Sequence, residues 1–116
     1  GFGSIVNISS TNGIDSYYSY SMDYDASKAG LIGFTKALAQ EYGYNNINVN
    51  CICPGLVETE MNNNLSKDEL EEVIADIPKQ RMASPKEVAK LALFLADQTG
   101  DYITGQVITI DGGFTL

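Results

Sequence analysis

A parallel α/β layer of three strands with covering helices is the fold this sequence predicts. β-rich runs at 4–8, 47–52 and 106–110 alternate with stretches of helical periodicity, in the order strand, helix, strand, two helices, strand. Each β-rich run closes on turn residues: the polar segment 9–13, then Pro54-Gly55, then Asp111-Gly112-Gly113. Such alternation needs crossover helices between parallel strands. It fixes a layer architecture and leaves the reaction open.

Ser4-Ile5-Val6-Asn7-Ile8 reads as a short strand entering the polar loop Ser9-Ser10-Thr11-Asn12-Gly13. Residues 14–23 show no helical stripe and mix Tyr17, Tyr18 and Tyr20 with Ser and Asp, as in a surface loop with aromatic contacts. From 24 to 42, Leu31, Phe34, Leu38 and Tyr42 recur at steps of three and four, which predicts a helix that Gly43 stops. Ala26, Gly30, Gly33 and Ala37 form a second stripe of small side chains, where a neighbouring element can approach closely. Two such faces predict burial on both sides, one against the sheet and one against a helix of this chain or of a partner subunit.

Residues 47–52 form the second strand, ended by Pro54-Gly55 because proline cannot donate to a ladder. A long loop follows, through Asn62, Asn63 and Asn64 to Leu65. Ser66, with Glu69 three residues later, is a capping box for an acidic helix ending near Asp76. Ser84-Pro85-Lys86-Glu87 is a stronger start, with a cap residue, proline at the first helical position and a glutamate three after the cap. Val88, Leu91, Ala92 and Leu95 then keep helical spacing, and 106–110 is the third strand. Three strands make a narrow parallel sheet whose faces and edges need cover, so either further strands upstream of Gly1 or a very unusual packing is expected.

The chain has 116 residues, which suits one domain. Seven Lys and Arg against fifteen Asp and Glu give a net charge of −8, which argues against nucleic acid as a partner. Without any histidine, the commonest neutral-pH base and the commonest zinc ligand are missing, and no metal site is expected. Cys51 and Cys53 lie on one side of a strand and read as two small buried hydrophobes rather than a disulfide framework. No run approaches the roughly 18 apolar residues a membrane helix needs, and no basic segment precedes an apolar core at the start, so a reducing cytoplasm without membrane association is expected.

Tyr24 and Lys28 stand four apart at the start of the long helix, which places phenol and ammonium on one face. A phenol with its ordinary pKa of about 10 is a poor acid–base group at neutral pH, and a neighbouring cation favours the phenolate. The pair is therefore a usable acid–base device, although an ordinary surface pair has the same spacing. Ser10 falls at the end of the first strand, where open α/β sheets place ligand-contacting loops, and its hydroxyl can donate to a carbonyl oxygen. Ser9 competes with Ser10, since only one need face a site, and ordinary turn chemistry accounts for both.

Taken together, Asn7-Ile8-Ser9-Ser10, Tyr24-Asp25-Ala26-Ser27-Lys28-Ala29-Gly30, Asn48-Val49-Asn50-Cys51-Ile52-Cys53-Pro54-Gly55 and Tyr102-Ile103-Thr104-Gly105 with Asp111-Gly112-Gly113 resemble the short-chain dehydrogenase/reductase family. Within it the resemblance is greatest to the 3-oxoacyl-[acyl-carrier-protein] reductase type, and it covers almost the whole chain in order. It implies the C-terminal part of a Rossmann-like, doubly wound parallel sheet, with residues 1–116 forming the C-terminal portion of one oxidoreductase domain whose N-terminal cofactor-binding half is absent. The implied activity is hydride transfer between NAD or NADP and a carbonyl or alcohol substrate. Acyl carrier protein is an implied partner, and a homo-oligomer, dimer or tetramer, an implied assembly. The alternative is a catalytically inactive fragment that acts only by association.

The same resemblance assigns Tyr24 as proton donor in reduction or base in oxidation, Lys28 as the cation that eases its ionisation and bonds the nicotinamide ribose, and Ser10 as the group that holds the substrate oxygen. It places Pro54 and Gly55 beside the nicotinamide, Val57 near its carboxamide, and Thr59 near the carboxamide or the phosphates. The loop after Thr59 is where such enzymes close over substrate. The family's glycine-rich turn and the residue that selects NAD or NADP have no counterpart in this sequence. Ser10 stands fourteen residues before Tyr24, one more than is usual in reductase-like members, so the 14–23 loop carries an extra residue. Tyr17, Tyr18, Tyr20 and Met22 are bulky for this segment and either line a substrate pocket or simply pack.

Overall fold

A computed structural model of the chain describes residues 1–11, 22–58 and 65–115. Among them are three strands, β1 (Gly3–Ile8), β2 (Ile47–Pro54) and β3 (Val107–Ile110), and three helices, α1 (Met22–Tyr42), α2 (Lys67–Ala75) and α3 (Pro85–Ala96). The strands form one parallel sheet in the order β1-β2-β3, with Asn7 opposite Cys51 and Cys51 opposite Val107. The middle strand is the core: Asn48 through Cys53 are all buried. The tyrosines at 17, 18 and 20 and the asparagines at 62, 63 and 64 lie outside the described residues.

Side chains of opposite parity leave a strand on opposite faces, and the two faces of β1 carry different helices. Asn7 Nδ2 donates to Thr35 Oγ1 of α1 at 2.9 Å, while Ser4 Oγ donates to the Leu95 carbonyl of α3 at 3.0 Å. With helices on both faces, the sheet is doubly wound. Gly43 ends α1 as the sequence predicts, through a 3₁₀ turn (Gly43–Asn45) and a left-handed Asn46 at φ 60°.

Neither stripe expected to pack α1 is the one that meets the sheet. Asp25, Thr35 and Ala39 are the buried residues of α1, and Lys28 and Ile32 complete that face at helical spacing. Phe34 is 57% exposed, and Ala26, Gly30, Gly33 and Ala37 are exposed, with open space where a Cβ on either glycine would sit. The contact is made by small and polar groups, because Thr35 has the partner it needs in Asn7 and also donates to the Leu31 carbonyl at 2.8 Å. A search for apolar periodicity passes over such a face.

The second strand runs on to Pro54 rather than stopping at Ile52. Cys51 N and Gly55 N donate to β3, at Gln106 O and Ile110 O, so the nitrogen of Pro54 points to the other side, where pairing with β1 has ended at Ile52. Ser66 caps α2 by accepting from Glu69 N. The full reciprocal box forms at α3: Ser84 Oγ accepts from Glu87 N, and Glu87 Oε1 accepts from Ser84 N. Glu87 also holds Arg81 through both carboxylate oxygens, at 2.7 and 3.0 Å.

Those hydrogen bonds, first from Arg81 and then from the Ser84 backbone, hold the Glu87 carboxyl down at about 2, against an ordinary 4.5. A depressed carboxylate contributes stability above its unfolded value and loses it as pH falls through its folded value. The thermal midpoint is therefore expected to fall as pH drops from 4.5 towards about 2. In Glu87→Gln, which keeps the capping oxygen and loses the charge, this part of the fall should disappear; thermal melts of both proteins across that range check it.

Candidate active site

The C-terminal end of β1 meets the first two turns of α1, and Ser10, Tyr24 and Lys28 gather there. Past Ile8 the chain stays on β2, with Ser9 N donating to the Ile52 carbonyl at 2.8 Å. Ser9 is buried and its hydroxyl donates to the Lys28 carbonyl at 2.8 Å. Ser9 is thus turned into α1, and Ser10 is the half-buried residue after it. Lys28 Nζ donates back to the Ile8 carbonyl at 3.2 Å and lies 5.5 Å from the centre of the Tyr24 ring, a cation–π distance. Tyr24 itself is 43% exposed.

Pro54 ends the neighbouring strand, and Gly55 and Val57 follow it. Pro54 pairs with Ile110, and Gly55 N donates to Ile110 O at 3.0 Å. Val57 bridges to Ala83, with Glu58 N donating to Ala83 O and Ala83 N to Leu56 O, so the segment after β2 is tied to the one before α3. Thr59 lies outside the described residues. The structure thus gathers Ser10, Tyr24 and Lys28 at the end of β1, and Pro54, Gly55 and Val57 at the end of β2.

Cys51 and Cys53 are free, fully buried thiols, as their spacing suggested. Burial first, and then the neighbouring Cys51, push the Cys53 thiol up to about 11, outweighing the opposite pull of Ser9 and of the Ser10 backbone. A thiol held protonated is not a nucleophile.

Two features escaped the sequence reading. One is the bond from Ser9 to the Lys28 carbonyl, for which no local signal exists. The other is Asp111. Burial works to raise its carboxyl, yet bonds from Thr115 Oγ1 at 2.7 Å, Thr115 N at 2.9 Å and Gly113 N at 3.0 Å hold it below the usual range. The bond from two residues on is an Asx turn, a signal that Asp111-Gly112-Gly113 did carry.

A sequence model of the family described as Enoyl-(Acyl carrier protein) reductase matches residues 1–115. The 3-oxoacyl-[acyl-carrier-protein] reductase FabG of Chlamydia trachomatis serovar D is 47% identical over 111 residues, which cover 96% of this chain and 44% of that protein. The chain therefore spans less than half the length of this relative. The crystal structure of a 3-oxoacyl-[acyl-carrier protein] reductase from Brucella melitensis superposes with a TM-score of 0.93 at 36% identity, over 98% of this chain and 42% of that one. A structure with bound NADP from Agrobacterium tumefaciens, described as a 2-deoxy-d-gluconate 3-dehydrogenase, gives 0.93 at 33% identity, over 98% of this chain and 47% of that one.

The position of Gly55 is set by Asp111. A Cβ on Gly55 would lie 2.7 Å from Asp111 Cβ and 3.0 Å from its Cα, and Asp111 is too well anchored to yield. Gly55→Ala should destabilise the fold by about 1–3 kcal/mol, the usual cost of overpacking, as read from the urea midpoint. An unchanged midpoint would mean that this close approach is slack.

Proposed function

This chain belongs to the short-chain dehydrogenase/reductase family, and from that premise we propose that it is the C-terminal portion of a single dinucleotide-binding domain in a nicotinamide-dependent oxidoreductase. The enzyme reduces a carbonyl or oxidises the corresponding alcohol, and 3-oxoacyl thioesters of acyl carrier protein are its favoured substrates. The observation that carries this reading is the pairing of Tyr24 with Lys28 at the C-terminal end of the sheet, where Lys28 bonds the Ile8 carbonyl two residues before Ser10. Ligands of open α/β sheets bind at that end. The place of β1 at the edge of the sheet, the 43% accessibility of its Ile5 and Ile8, and the coverage of 44% of the Chlamydia relative support the reading as part of a larger domain.

The donor set suits a nicotinamide nucleoside. An ammonium has three donors, of which the Ile8 carbonyl takes one on Lys28, leaving the others for ribose hydroxyls. Pro54, Gly55 and Val57 would line the nicotinamide side, and Thr59 the carboxamide or phosphates. When bound, NAD(H) or NADP(H) supplies or accepts the hydride at the substrate carbon. On reduction Tyr24 Oη gives its proton to the substrate oxygen, Ser10 Oγ donates a hydrogen bond to the same oxygen, and both meet negative charge as it develops there. The Lys28 ammonium stands beside that transfer, one helical turn from Tyr24. In the oxidation direction the same groups act in reverse, with Tyr24 taking the proton.

The exposed face of α1 formed by Ala26, Gly30, Gly33, Phe34 and Ala37 suits contact with a second subunit, in a homodimer or tetramer. Among the described residues no helix is long and apolar enough to cross a membrane.

In the full-length protein, assayed on an acetoacetyl thioester with NADPH and NADH, Tyr24→Phe should lower kcat by about 100-fold or more. Lys28→Met should lower kcat and also weaken binding of the reduced nicotinamide, followed by fluorescence titration. Near-parental turnover in Tyr24→Phe would overturn the assignment.

A further inference from the structure

We propose that Ser9 is a positioning residue for this reaction: its buried hydroxyl holds the first turns of α1 against the end of β1, so that Lys28 and Tyr24 stay aligned with Ser10. The proposal rests on the reading of Tyr24 as the proton-transfer group. Its basis is a two-way clasp. Ser9 Oγ donates to the Lys28 carbonyl at 2.8 Å, and Lys28 Nζ donates to the Ile8 carbonyl at 3.2 Å, so the last residue of β1 and the one after it grip both ends of one helical residue.

Several features make this bond more than routine satisfaction of a polar group. Lys28 is interior to α1, so its carbonyl already has the amide four residues on as a partner, and the Ser9 hydroxyl is a second donor to it. Most of the helix around the clasp is exposed: Met22, Asp23, Tyr24, Ala26 and Ser27 all face solvent, and the Ser27 hydroxyl bonds within the turn, to the Tyr24 carbonyl. Ser9 is itself fixed from the sheet side, by its amide on Ile52 O and by the buried Cys53 beneath it. A rigid strand end thus reaches the turn that carries Tyr24 and Lys28. Misplacing reacting groups by a fraction of an ångström slows a reaction without unfolding the protein.

Ser9→Ala removes one buried oxygen and adds no volume, and the Lys28 carbonyl keeps its partner within the helix, so it separates position from folding. In the full-length protein, with an acetoacetyl thioester and NADPH, we expect Ser9→Ala to lower kcat about tenfold or more, with the substrate KM within about twofold and the thermal midpoint nearly unchanged. Ser9→Thr, which keeps the hydroxyl, should regain most of the lost kcat. A parental kcat in Ser9→Ala overturns the proposal, as does a loss that tracks a matching fall in thermal midpoint. So does a well-folded Ser9→Thr that is as slow as Ser9→Ala. Tyr24→Phe, run in parallel, keeps the two readings apart: if it turns over normally, the proton-transfer assignment fails, whereas if it is inactive and Ser9→Ala is parental, only the role of Ser9 fails.

Discussion

Asn50 sits fully buried at the centre of β2 and uses both ends of its amide: Nδ2 donates to the Ile103 carbonyl at 2.9 Å, and Oδ1 accepts from the Gln106 N–H at 3.0 Å. An apolar residue there would leave two backbone groups without partners in the core. Alongside it, Thr104 Oγ1 accepts from Val49 N at 3.0 Å, and Gly105 N donates to Val49 O at 2.7 Å. The segment entering β3 is thereby fixed on β2 one residue before pairing begins at Cys51 and Val107. Everything at the C-terminal edge inherits that register: Pro54 falls opposite Ile110, and Gly55 comes to rest on Asp111. On its other side β2 sets Asn7 opposite Cys51, which carries Ser9 and Ser10 to the mouth of the sheet.

Local chemistry made much of this legible in advance. Ser66, Ser84 and Pro85 announce helix starts because capping is decided within four residues, and Gly43 announces a stop for the same reason. The parallel layer follows from alternating strands and crossover helices. The packing face of α1 was not legible, because Asp25, Thr35 and Ala39 are chosen by partners far along the chain, such as Asn7, and the apolar pattern of Leu31, Phe34, Leu38 and Tyr42 points elsewhere. The end of β2 is not legible from Pro54 alone, because what matters is which neighbour its nitrogen faces.

The site divides in the same way. Tyr24 and Lys28 are four apart on a helix, so their proximity was a matter of spacing, and Pro54-Gly55 marked a strand end. What spacing could not decide was which of Ser9 and Ser10 turns into the helix. The structure gives Ser9 a buried bond to Lys28, and that bond depends on a strand, a turn and a helix arriving together. In the proposed enzyme the chain's own groups hold and move a proton at one edge of the sheet, beside the strand ends that would support a nicotinamide.

The most direct measurement is a crystal structure of the full-length protein with bound NADPH or NADH. The account predicts Lys28 Nζ within hydrogen-bonding distance of the nicotinamide ribose, with the Tyr24 hydroxyl beside the reactive face of the ring and Pro54 and Gly55 behind it. A nicotinamide bound away from the ends of β1 and β2, with Lys28 and Tyr24 touching nothing on it, would contradict the account.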